Sequence, residues 1–104
     1  MEPTNASALE AFATSAIEAY GAPSEVAETV AHSLVSSDLV GHSSHGVVRM
    51  PRYADQVAEG RLDPTATPTV EAAGPFQQVG GGAAFGQLTG QRAVENLIDT
   101  ARTR

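Results

Sequence analysis

Thirteen residues, "GHSSHGVVRMPRY" at 41–53, gather two of the chain's three histidines, two of its six arginines and one of its two tyrosines. Histidine gives and accepts protons near neutral pH. Arginine offers a rigid fork that binds a carboxylate through two parallel bonds. A tyrosine positions a hydroxyl or carbonyl, and a serine holds an imidazole or a substrate oxygen. If a helix opens near Gly46, then His45, Arg49 and Tyr53 stand at i, i+4 and i+8. They then share roughly one face, about 12 Å from end to end. Ser44 lies beside His45 at the entrance. A proton donor one turn from a carboxylate clamp suits a small 2-oxo or 2-hydroxy acid: the carboxylate docks on Arg49 and its neighbouring carbonyl lies near His45.

The same residue types also serve as plain structure. A histidine at a helix start is often a cap, Arg49 has Asp55 and Glu59 within pairing reach, and Tyr53 is a natural core residue. Metal binding through His32, Asp38, His42 and His45 is the other chemistry open to the segment. Gly41 and Gly46 argue against the regular helix that would put His42 and His45 on one face, and zinc wants three or four ligands. No metal is expected.

The elements that must hold these residues are mostly helical. "TNASALEAFATSAIEAYG" carries Leu9, Phe12, Ala13, Ile17 and Tyr20 at helical spacing, with Asn5 or Ser7 as N-cap and Gly21 as stop. "APSEVAETVAHSLVSSDLVG" predicts a second helix with Ser24 as N-cap, a stripe of Val26, Val30, Leu34 and Leu39, and an end at Gly41. Two helices joined by a short link are simplest as antiparallel neighbours. Pro51 is tolerated in the first turn of a third helix, which ends near Gly60. "RLDPTATPT" is an extended loop, and "TVEAA" and "FQQVG" are short strands interrupted by Gly74 and Pro75. A closing helix carries Leu88, Val94, Leu97, Ile98 and Ala101 as its apolar stripe. The glycine run "GGGAAFG" before it has Phe85 where a third glycine would stand and lacks a preceding parallel strand. It is therefore expected to be a tight turn, not a dinucleotide fingerprint.

At 104 residues the chain is one domain with a modest core. Aromatics are 5% and tryptophan is absent, so that core must be made of Ala, Val, Leu and Ile. A formal charge of −6 argues against nucleic acid and against an anionic membrane surface. It leaves room for a small anion held by one well-placed arginine. There is no cysteine, which fits a reducing cytoplasm.

The stretch "SSDLVGHSSHGVVRMPRYADQVAEGRLDP" resembles the N-terminal region of the type 2 malate/L-lactate dehydrogenase family, NAD(P)-dependent oxidoreductases that include ureidoglycolate dehydrogenases and 2,3-diketogulonate reductases. The family run D-x-x-G-x-x-S-H-G-x-x-R-x-x-x-Y is matched at Asp38, Gly41, Ser44, His45, Gly46, Arg49 and Tyr53. "FGQLTGQRAVENLIDTAR" is also similar to the family's glycine turn and following helix. The resemblance implies that His45 is the proton donor to the substrate carbonyl and Ser44 part of its relay. It implies that Arg49 holds the substrate and that Tyr53 lines the pocket. Two positions depart from the family pattern. Ser43 stands where members commonly carry an acidic residue, and Val79-Gly80-Gly81 stands where many read Val-Asp-Gly.

The expected fold class is mainly α, with three or four helices and one or two short strands, forming part of a larger non-Rossmann α/β dehydrogenase fold. Residues 1–104 are expected to be its N-terminal helical segment, with the cofactor-binding domain, a further histidine motif and the relay aspartate absent. The implied cofactor is NAD or NADP, the implied substrate a small carboxylate, and the complete enzyme a cytoplasmic homodimer, with this chain inactive alone. The rival expectation is a non-catalytic helical module that dimerises or docks a partner.

Overall fold

The computed structural model describes residues 5–103. The helices are α1 (Ala6–Ala19), α2 (Ser24–Leu39), α3 (Met50–Ala58) and α4 (Gly86–Thr103), and the strands β1 (Thr69–Ala73) and β2 (Phe76–Gly80) form one antiparallel hairpin. Thus four helices and a two-stranded sheet make the chain mainly α, as the periodicity predicts.

α1 begins where Asn5 accepts the Ala8 N–H on its side-chain oxygen at 2.7 Å, satisfying one of the donors a helix start leaves orphaned. α2 has no such cap. Pro23 stands at its N-cap and Ser24 is already helical, so the expected serine cap is not made. Its far end closes firmly. His42 N–H donates to Ser37 O at 2.8 Å and Gly41 N–H to Asp38 O at 3.1 Å, the paired bonds that end a helix on a left-handed residue. Gly41 supplies that residue, with φ +84°.

α1 and α2 pack on each other around Ala13, Ile17, Ala27, Val30, Ala31 and Leu34, each fully buried. Alanine at these contacts lets the two backbones approach closely. Two larger residues come from outside the expected Ala/Val/Leu/Ile set. Phe85 is the largest fully buried side chain, and Met50 joins it in the core. Several apolar residues assigned to stripes lie outside the core, among them Phe12, 68% exposed, Leu39, 70%, and Leu97, 58%.

The exposure of Leu97 reflects how α4 sits. Its first turn buries Leu88, while Val94, Leu97 and Ile98 stay exposed. The hairpin runs beside its later turns, and Gln77 Nε2 donates to Thr100 Oγ1 at 3.4 Å. The result is elongated, 52 × 30 × 22 Å with a radius of gyration of 15.2 Å, against about 13 Å for a compact chain near 100 residues. Helical spacing marks a potential apolar face; it does not supply the surface that would cover it.

Candidate active site

Between α2 and α3 the backbone does not make the single helix expected from Gly46. It makes two 3-10 turns, Ser43–His45 and Val47–Arg49, with Gly46 extended between them (φ −95°, ψ −156°). The reason lies on α2. The Asp38 carboxylate accepts the Val47 N–H at 3.0 Å, and its three carboxylate atoms fill the space where a side chain on Gly46 would project. Gly46 is buried, and only a residue without Cβ lets the carboxylate reach the turn. α3 then starts at Met50, with Pro51 in its first turn, where a missing N–H costs nothing.

This broken geometry still brings the three singled-out side chains together. His45, Arg49 and Tyr53 line one cleft of about 400 Å³, with Ser33 and Ser37 of α2 on one wall and Gly86 and Gln87 of α4 on another. Ser44 Oγ lies 3.0 Å from His45 Nδ1. When Nδ1–H donates to that hydroxyl, the neutral ring keeps its lone pair on Nε2, and Nε2 is the nitrogen free to take a ligand's proton. Arg49 Nε donates to the Ser44 carbonyl at 2.8 Å. The bond draws the guanidinium back toward the histidine turn, and both terminal nitrogens remain available for a two-point contact with a carboxylate.

The structural alternative for Arg49 is not adopted. Glu59, one of its candidate partners, pairs instead with Arg61 at 2.8 Å. Tyr53 is half-buried and has a double role. Its ring meets Phe85 edge-on, with centroids 5.5 Å apart and planes at 82°, and its hydroxyl accepts from Gln87 Nε2 at 2.7 Å.

Of the other two histidines, His42 stays beside His45 and His32 lies apart. His42 and His45 rings lie 5.5 Å apart and tilted. His32 sits on α2 with its Nδ1 3.0 Å from Glu10 Oε1. No group of three or more His, Cys, Asp or Glu side chains that could hold a metal occurs among the described residues. No helix among them is long and apolar enough to cross a membrane.

No Rossmann-type pyrophosphate-binding unit stands before α4 among the described residues. The turn before α4 follows an antiparallel hairpin strand, not the parallel strand of a pyrophosphate-binding unit. The cleft of about 400 Å³ has room for a small acid with part of a ring against it.

Three cleft residues were not identified from sequence. Ser33 and Ser37 are four apart on α2, a spacing that could have flagged a shared polar face. Gln87 offered no local signal, since it lies 34 residues from the tyrosine it contacts.

The chain is 37% identical over 95 residues to the (2R)-3-sulfolactate dehydrogenase (NADP(+)) of Chromohalobacter salexigens, covering 89% of this chain and 28% of that protein. The structure of malate dehydrogenase from Pyrococcus horikoshii superposes with a TM-score of 0.90 at 31% identity, over 98% of this chain and 30% of that one. The Δ1-piperideine-2-carboxylate reductase of Pseudomonas syringae gives 0.87 at 31% identity, over 99% and 31%. The chain thus spans about a quarter of the length of the curated relatives it matches. The fold observed here is a part of the larger one in those structures. The malate/L-lactate dehydrogenase family model matches residues 4–104, and the chain belongs to that family.

Proposed function

We propose that this chain forms the acid–base and carboxylate-binding wall of an NAD(P)-dependent oxidoreductase that interconverts a small 2-hydroxy acid and its 2-oxo acid. The observation that carries the reading is the shared cleft. His45, with Nδ1 engaged by Ser44, faces the same space as Arg49 and Tyr53. Arg49 binds the carboxylate with its two terminal nitrogens. His45 Nε2 takes the proton of the 2-hydroxyl as the carbonyl forms, and returns it when the 2-oxo group is reduced. Tyr53 lines the pocket and Ser44 fixes the imidazole. The hydride is exchanged at C2 with the nicotinamide when that group is bound. The nucleotide's own seat lies outside the described residues, so residues 1–104 are the N-terminal helical segment of the enzyme, inactive alone. The complete enzyme is a homodimer.

A graft tests this reading. Residues 5–103 replace the matching portion of the P. horikoshii malate dehydrogenase, whose backbone they follow closely. The expected result is nicotinamide-dependent turnover of a 2-hydroxy acid that is lost on His45→Ala. A folded graft whose turnover survives that substitution overturns the assignment. The rival reading, a non-catalytic module, draws on the exposed Val94, Leu97 and Ile98 of α4. It requires this chain to self-associate in light scattering and to show no response of the cleft to any 2-oxo acid.

A further inference from the structure

Tyr53 is held at two points by one short segment. Its ring packs edge-on against Phe85, which is 1% exposed and belongs to the core. Its oxygen accepts from Gln87 Nε2 at 2.7 Å. The two contacts do different work. Phe85 sets where the ring lies, and it leaves the hydroxyl free to rotate about the C–O bond. Gln87 touches only the hydroxyl.

A phenolic oxygen has a single hydrogen to give and lone pairs to receive with. Once the amide N–H occupies the lone-pair side, the hydroxyl hydrogen turns away from the amide. Tyr53 and Gln87 line the same cleft as His45 and Arg49. The geometry points to Gln87 as a positioning residue: it turns the Tyr53 O–H into the cleft, as a committed donor to the carboxylate or 2-oxo oxygen of the bound acid. This rests on the cleft being the acid-binding site proposed above. A tyrosine free to rotate spends part of its time as an acceptor, which would face an anion with a lone pair. The amide removes that arrangement before the ligand arrives, and the binding cost falls accordingly. Donors from α3, from the turn before it and, through Gln87, from the start of α4 then converge on one anion.

The test uses the isotope-labelled 104-residue chain and oxamate, a stable 2-oxo-acid mimic, titrated by NMR. Wild-type protein should show oxamate-dependent shifts at Gly46, Val47 and the Arg49 side chain. Gln87→Leu should weaken binding roughly 3- to 10-fold, the worth of one hydrogen bond. Tyr53→Phe should weaken it by a similar factor, and the double variant should bind no worse than Tyr53→Phe alone. Gln87→Met provides a second variant if leucine perturbs folding, and melting temperatures close to wild type separate positioning from packing. Unchanged affinity in Gln87→Leu, or losses that multiply in the double variant, overturns the inference and leaves the cleft assignment standing. Wild-type protein in which oxamate moves none of these signals overturns the cleft assignment, and the inference falls with it.

Discussion

The carboxylate of Asp38, on the last turn of α2, occupies the space that a side chain on Gly46 would need, and it accepts the neighbouring Val47 N–H at 3.0 Å. Gly46 has a negative φ, so the chief obstacle to an alanine there is the carboxylate. Gly46→Ala should therefore cost about 1–3 kcal/mol in chemical denaturation, the usual cost of overpacking. Asp38→Ala should cost a similar amount by orphaning the Val47 N–H. The double variant should be more stable than the sum of the single losses implies, because the second change removes the clash. Additive losses would show that the two sites are energetically separate.

His45 is predicted to be the proton-transfer group. In the grafted enzyme, His45→Ala should lower kcat by a factor on the order of 10²–10⁴, and a change below about threefold would remove it from the chemistry. Ser44→Ala should reduce kcat less and leave a distinct signature. With the Ser44 Oγ–Nδ1 contact gone, the 15N signals of the imidazole should report a smaller share of the Nδ1–H tautomer. A tautomer ratio equal to that of wild type would deny Ser44 its orienting role.

Arg49 donates from Nε to the Ser44 carbonyl, and its side chain lines the cleft. Arg49→Ala should raise KM roughly 10- to 100-fold in the grafted enzyme, in keeping with the loss of a charge-assisted contact. Arg49→Lys should recover little of this, since an ammonium lacks the planar fork needed to serve both partners. Full recovery by lysine would mean that charge alone, without the bond to Ser44, is what the site requires.

Acid should weaken the loop that leads from α3 to the hairpin. Asp63 Oδ1 accepts from the Thr65 hydroxyl at 2.7 Å and from the Thr65 N–H at 2.9 Å. These two bonds hold the Asp63 carboxyl below the ordinary carboxylate range, the side-chain bond contributing most. A depressed folded pKa adds stability above the unfolded pKa, and that stability is lost as pH falls through the folded value. Asp63→Asn should thus melt below wild type at neutral pH, with the gap closing as the solution is acidified through and below the usual carboxylate pKa. A gap that stays constant with pH would show that the Thr65 bonds do not favour the charged form.

The sequence by itself determined the local elements. Apolar spacing located α1, α2 and α4, Pro51 and Gly60 bounded α3, the Gly74-Pro75 interruption located the hairpin turn, and the boundaries "TVEAA" and "FQQVG" are those of β1 and β2. It also marked His45, Arg49 and Tyr53, because their side-chain chemistry is rare in so acidic and alanine-rich a chain. Their helical spacing was the wrong reason for their proximity. Only the tertiary structure decided that the backbone there is two 3-10 turns, because the agent that breaks the helix is a carboxylate on another helix, at Asp38. It likewise decided that Gln87 faces Tyr53 across 34 residues, and that Val94, Leu97 and Ile98 find no cover among the described residues while Phe85 is fully enclosed. Periodicity reports which face of an element is apolar. Which surface meets that face is set by contacts between distant segments, and no local pattern of residues encodes those.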